Sequence, residues 1–162
     1  MAREIPLTRG YVAIVDDEDY ERVAAHRWQF VLSKGYQRAE RSWRVCGKLH
    51  HQKMAMLLMS PSPGMVVDHI NGDPLDNRKA NLRVCTPKQN SCNRRRLSRK
   101  AVPFKGVYAR PDSTRFSAQI ALDGKTTHLG THSTAEDAAR AYDAAARRLH
   151  GEFARLNFPE AA

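Results

Sequence analysis

The chain has 162 residues, with 27 Lys and Arg against 17 Asp and Glu, a net charge of +10. Apolar residues make up 41%, enough for one or two small cores and too many for a disordered polyelectrolyte. The longest apolar run, Met54 to Met59, is too short for a bilayer span or a signal core, and three cysteines without a CxxC pair exclude a disulfide framework and a four-cysteine zinc site. Cys46, Cys85 and Cys92 therefore read as ordinary buried or half-buried thiols of a reducing compartment. The positive excess calls for a polyanionic partner, nucleic acid ahead of a membrane surface, and the chain is expected in the cytoplasm or wherever that nucleic acid is.

In chain order, Gly10 to Val15 is a short strand, and Asp16, Asp17 and Asp19 crowd the start of a helix running to about His26. Strands are expected at about Tyr36–Arg41 and Trp43–Gln52, the second folding on itself at Cys46-Gly47-Lys48. Met54 to Met59 reads as a short buried helix whose methionines pack a core, stopped by Ser60-Pro61-Ser62-Pro63-Gly64. Met65 to Ile70 is a strand, Asn71-Gly72-Asp73-Pro74 a turn, and Leu82 to Cys85 a second strand. Thr86-Pro87-Lys88-Gln89 then opens a helix with a capping box. Beyond Lys105 come three strands, Lys105–Arg110, Arg115–Leu122 and Lys125–Gly130, with Asp123-Gly124 as a two-residue hairpin turn. Ser133-Thr134-Ala135-Glu136 opens a helix that Gly151 ends, and Ala138, Tyr142, Ala145 and Leu149 mark its buried face. The fold class is α+β: a mixed N-terminal region with a strand–loop–strand–helix core, then a three-stranded antiparallel sheet on one helix.

The charge is uneven. Residues 1–92 carry 14 basic and 10 acidic side chains, and residues 105–162 carry 8 and 7. The stretch 93–104 carries five basic side chains, Arg94, Arg95, Arg96, Arg99 and Lys100, and no acid. Half of the net charge thus sits in a joint between two nearly balanced parts, which points to phosphate contact along a solvated linker.

Four polar side chains converge if the two central strands pair: Asp68, His69, Asn81 and Asn90. Asp68 and Asn90 offer hard oxygen ligands suited to Mg²⁺ or Mn²⁺. His69 titrates near neutrality and is the candidate general base; the Asn81 carbonyl is the candidate partner for its other ring N–H. These parts suffice for metal-assisted phosphodiester hydrolysis.

The motif Val67-Asp68-His69-Ile70-Asn71-Gly72, with Leu75-Asp76-Asn77-Arg78, Asn81-Leu82-Arg83 and Gln89-Asn90, resembles the HNH endonucleases with a ββα-metal core, in the homing-type branch whose last motif residue is Asn. The match covers about 64–95, with looser similarity back to Ile5-Pro6-Leu7-Thr8. The resemblance implies metal ligation by Asp68 and Asn90, a general base at His69 and an imidazole-orienting residue at Asn81. Many relatives carry His-Arg where this chain has Ala55 and Met56, so any phosphate contact made there is absent; His50 and His51 nearby read as surface histidines without a role. Lys105-Gly106-Val107-Tyr108, Phe116 to Ile120, His128-Leu129-Gly130-Thr131, Ala138 to Asp143 and Leu156-Asn157-Phe158 together resemble an AP2 domain over 105–158. That resemblance implies a sheet whose outer face enters the DNA major groove, here offering Arg110, Arg115, Gln119, Lys125 and Thr127, flanked by Lys105. The plant pattern's extra Arg and Trp, at about Tyr108 and Asp112, are missing, so no target sequence transfers.

The resulting expectation is an HNH nuclease in 1–92, a basic linker in 93–104 and a DNA-reading AP2 module in 105–158. Such a protein hydrolyses double-stranded DNA with Mg²⁺ or Mn²⁺, nicks one strand per docking event, and works as a monomer without membrane or protein partners. The competing readings are a transcription-factor-like AP2 protein carrying an inactive HNH scaffold, and a nuclease of little specificity.

Overall fold

The computed structural model describes residues 1–33, 35–94, 102–111 and 113–159. Two compact units emerge, Met1–Asn90 and Ser91–Ala162.

The first unit opens with a hairpin of β1 (Ala2–Pro6) and β2 (Val12–Asp16), paired so that Ile5 faces Ala13. No strand was expected at β1, where Arg3, Glu4 and Pro6 mask the alternation; its inward Ile5 is 2% exposed and supplies the missing apolar signal. The expected helix to His26 is split into a 3-10 turn at Asp17–Asp19 and a short α1 (Tyr20–Ala24). The acids do more than suit a helix start. Asp16 accepts a bond from the Lys79 backbone N–H at 2.7 Å, and Lys79 Nζ reaches Glu18 and Asp19 at 2.6 and 2.9 Å.

Next come β3 (Gln29–Ser33), β4 (Tyr36–Val45) and β5 (Lys48–Lys53), an antiparallel sheet in that order. β4 runs unbroken through Ser42, where two strands were expected, and the fold-back at Cys46-Gly47 is a two-residue turn with both φ angles positive. α2 (Met54–Met59) then plugs the core: Met54 is fully buried beside Val15, Val23, Trp28, Phe30 and Leu58. Ala55, where the HNH resemblance would place a polar residue, lies in that core too. β6 (Val66–His69) pairs antiparallel with β7 (Leu82–Cys85), and α3 (Pro87–Cys92) follows. Its capping box forms as expected, Gln89 N–H donating to Thr86 Oγ1 and Thr86 N–H to Gln89 Oε1.

The second unit is a sheet ordered β10-β9-β8, made of β8 (Val107–Ala109), β9 (Phe116–Leu122) and β10 (Lys125–His132), packed on α4 (Ala135–His150). Val107, Ala118 and Ile120 meet Ala138, Ala139, Tyr142 and Ala145 on the inner face. Thr134 is the N-cap of α4, accepting the Asp137 N–H. Gly106 has φ +75°, and a Cβ there would stand 1.9 Å from the Tyr142 ring, so glycine is required twice over. Buried Asp143 closes the unit by accepting bonds from the Asn157 and Phe158 backbone N–H groups at 2.9 and 2.8 Å. Among the described residues no helix is long and apolar enough to cross a membrane.

Candidate active site and nucleic-acid interface

β6 ends on Asp68 and His69, with His69 paired to Leu82 and the Ile70 N–H bonded to the Asn81 carbonyl at 2.8 Å. Asn81, expected opposite His69, thus stands one position further along, against Ile70, still at the His69 end of the ribbon. The two side chains nevertheless have different tasks. Asn81, 8% exposed, accepts the Asn71 N–H on its Oδ1 at 2.9 Å and donates from Nδ2 to the Asp76 carbonyl at 2.7 Å. It thus staples both ends of the 71–76 loop.

The residue on the imidazole is Asn77, whose Oδ1 lies 3.3 Å from His69 Nε2. Asn77 is 2% exposed and fixed on three sides. Its N–H donates to the Ile14 carbonyl at 2.7 Å, while its Nδ2 lies 3.2 and 3.4 Å from the Leu75 and Pro74 carbonyls. The Ile14 N–H in turn donates to the Leu75 carbonyl at 2.8 Å, so β2 acts as an outside brace for the loop. Sequence reasoning quoted Asn77 within the motif and gave it no role. The only local signal was its place among the loop's turn formers; the brace comes from sixty residues upstream.

Burial pushes the His69 imidazole below its usual pKa, against the opposing effects of the Asn77 bond and the Asp68, Asp73 and Asp76 carboxylates. The ring is therefore neutral near pH 7. With Nδ2 of Asn77 turned to carbonyls, its Oδ1 is an acceptor and assigns the ring proton to Nε2. Asp76, 4% exposed, is held well below the carboxylate range by the Arg78 guanidinium, with Arg78 Nε and Nη2 each at 2.8 Å, and Asn71 Nδ2 adds a bond at 3.0 Å.

Asp68 is 5% exposed, and its Oδ2 accepts bonds from Arg83 Nε at 2.9 Å and Arg83 Nη2 at 2.7 Å. Burial, reinforced by the Asp68 charge, pushes the Cys85 thiol up, while an Asn90 backbone bond opposes it. The Arg83 charge opposes the rise as well, ahead of the Asn90 backbone. Among the described residues no three His, Cys, Asp or Glu side chains lie close enough to hold a metal ion. One carboxylate and one amide oxygen are nevertheless a donor set that fits a hard divalent cation retaining its waters.

In the second unit, β9 and β10 pair Leu122 with Lys125 and Gln119 with His128. The outer face, away from α4, therefore carries Tyr108, Arg110, Arg115, Ser117, Gln119, Thr126 and His128, with Ser117 Oγ 3.2 Å from His128 Nδ1. Arg110 and Arg115 are exposed neighbours, joined by the Arg110 N–H to Arg115 carbonyl bond at 3.2 Å. Three assignments need correction. Lys125 and Thr127 stand opposite Leu122 and Ile120 on the α4 side of the sheet, because a two-residue turn pairs odd positions of β9 with even positions of β10. The turn itself carried that signal. Lys105 is no open flank either: its Nζ donates to the Cys92 carbonyl, and burial, with Arg155 adding, lowers its pKa to about 8. Arg94 is exposed. Arg95, Arg96, Arg99 and Lys100 of the expected joint lie outside the described residues.

Comparison with known proteins finds the "HNH endonuclease" family model over residues 49–92. An uncharacterized HNH endonuclease of Acanthamoeba polyphaga mimivirus is 30% identical over 150 residues, covering 92% of this chain and 76% of that protein. Protein 3.8 of Escherichia phage T7 is 32% identical over 93 residues, 57% of this chain and 76% of that protein. Ethylene-responsive transcription factor 3 of Nicotiana tabacum is 55% identical over 62 residues, 37% of this chain and 27% of the factor. The likeness to the plant factor thus spans about a quarter of that protein's length.

Proposed function

The chain belongs to the HNH endonuclease family, and from that premise we propose that it is a metal-dependent DNA endonuclease whose AP2-like unit selects where it cuts. The observation that carries the reading is the half-buried, neutral His69 at the end of β6, held by Asn77 beside the Asp68 carboxylate. With its proton on Nε2, His69 takes the proton of the attacking water on Nδ1. Asn77 fixes the ring's tautomer and orientation. Asp68 and Asn90 are the residues that would hold the cation, with Arg83 setting the orientation of the Asp68 carboxylate. A bound Mg²⁺ or Mn²⁺ ion supplies Lewis-acid charge for the phosphodiester.

The domain scheme is 1–92 for the nuclease, 93–104 for a basic joint tracking phosphates, and 105–158 for the reader. Arg110, Arg115 and Gln119 are the base-reading candidates, now joined by Thr126 and His128, and a single base per molecule makes the enzyme a monomeric nickase.

Supercoiled plasmid incubated with the chain and Mg²⁺ or Mn²⁺ tests this directly. Nicked circle is expected before any linear product. Linear DNA formed without a nicked intermediate would refute the monomer, and plasmid bound but never cut would leave a DNA-binding protein on an inactive nuclease scaffold.

A further inference from the structure

The net charge of the first unit has an address. Its 36–53 segment carries five basic side chains (Arg38, Arg41, Arg44, Lys48, Lys53) and one acid, Glu40. The rest of residues 1–90 carries nine basic and nine acidic side chains. The whole +4 of the unit therefore lies on the β4–β5 hairpin.

The shape of this hairpin also needs explaining. β3 pairs with β4 only as far as Glu40, so beyond it β4 and β5 form a two-stranded ribbon. From buried Ala39 to the tip at Val45 it projects by about 20 Å at the usual rise per residue. Every residue from Ser42 to His51 is exposed, Trp43, Val45 and Leu49 among them at 39%, 50% and 51%.

Trp43 does not hang loose. Its ring stacks on His50, centroids 5.6 Å apart, and the Arg41 guanidinium lies 4.8 Å from its centre. Gln52 Oε1 anchors that guanidinium at 2.6 and 3.0 Å. The only acid of the segment is taken up by Arg38 and His51, at 2.6 and 3.1 Å. Among the described residues no carboxylate lies within ion-pair distance of Arg41, Arg44, Lys48 or Lys53. The register puts Arg41, Trp43 and Lys48 on one face of the ribbon and Arg44 and Lys53 on the other, so both faces offer uncompensated cations to a polyanion and one of them adds an aromatic already immobilised. A two-stranded ribbon has the width that a DNA groove admits.

We propose that the β4–β5 ribbon is a DNA-binding arm of the nuclease unit: Arg44, Lys48 and Lys53 contact phosphates of the duplex, and Trp43 packs against its sugar and base edges. β5 passes into α2 at Lys53-Met54 without a linker, and α2 packs on β6 and β7, so the arm is rigidly joined to the ββα region. It holds DNA at the cut, separately from the second unit. The inference rests on the nuclease reading above.

The test compares the full chain with a paired Arg44→Ala and Lys48→Ala variant and with Trp43→Ala, on the duplex the wild type nicks. Losing two phosphate contacts flattens log affinity against log salt by about 1.8. Trp43→Ala weakens binding at fixed salt by about tenfold and leaves the slope in place. Hydroxyl-radical protection shrinks beside the nick for both. A wild-type chain that binds and nicks, with slope and footprint unchanged in both variants, overturns the arm and leaves the nuclease reading standing. A wild-type chain that neither binds nor nicks overturns that reading and the arm with it. Should sedimentation show a wild-type dimer that the variants dissolve while DNA affinity stays constant, the ribbon's occupant is a second copy and the proposal is wrong.

Discussion

Replacing Asn81 by Ala removes two hydrogen bonds at once, those to the Asn71 N–H and the Asp76 carbonyl. A buried neutral bond contributes about 1 kcal/mol net, and stranding its partner costs up to about 3 kcal/mol. A loss of about 2 kcal/mol is the conservative expectation, because loop 71–76 lies near enough to the surface for water to rescue part of it. Both tryptophans, Trp28 and Trp43, belong to the first unit, so fluorescence isolates its unfolding. At an m-value of about 1 kcal/mol/M, the urea midpoint should fall by about 2 M. Asn81→Asp keeps the acceptor for the Asn71 N–H and turns an oxygen toward the Asp76 carbonyl, so it should rescue little. Cleavage should fall as well, because the loop carries Asn77 to the imidazole. The reasoning is refuted if Asn81→Ala abolishes cleavage while the urea midpoint stays within experimental error of wild type: Asn81 would then act on the chemistry and not on the loop.

His69→Ala should abolish nicking while plasmid affinity by gel shift stays near wild type, since it removes a base and no phosphate-neutralising charge; near-normal nicking would remove it from the mechanism. Arg115→Ala should cost about 1–3 kcal/mol on the recognised duplex and spare a scrambled one, whereas Lys125→Ala, on the other side of the sheet, should not discriminate between them. Gly106→Ala combines a left-handed backbone with a clash against Tyr142 and should destabilise the second unit by about 3 kcal/mol, read from the helix signal at 222 nm. Lys105 has a pKa near 8 in the fold against 10.5 ordinarily, so between those values the unfolded chain binds more protons and stability rises with pH. Lys105→Met should lose that rise, seen as the pH dependence of wild-type minus variant unfolding free energy.

Much of the chain was legible because its signals are local. The capping box at Thr86, the N-cap at Thr134, the turns at Cys46-Gly47 and Asp123-Gly124, and the helical spacing of Ala138, Tyr142 and Ala145 depend on neighbours within a few residues, and all of them fold as their chemistry dictates. The place of Asp68 and His69 at the end of one strand was legible for the same reason. The tertiary structure decided which asparagine faces the imidazole. Asn81 and Asn77 are chemically identical; the Ile14 backbone, distant in sequence, clamps the Asn77 N–H, the Leu75 and Pro74 carbonyls take its Nδ2 and so turn its Oδ1 to the ring, and Asn81 staples the loop. Distance in sequence likewise hid β1, whose single inward Ile5 makes sense only against Ala13, and the withdrawal of Lys105 onto the Cys92 carbonyl. The sequence set the +10 and placed the first unit's share of it within 36–53, but only strand pairing made that segment a ribbon projecting beyond β3, because a run of residues acquires a shape only from the strands it pairs with.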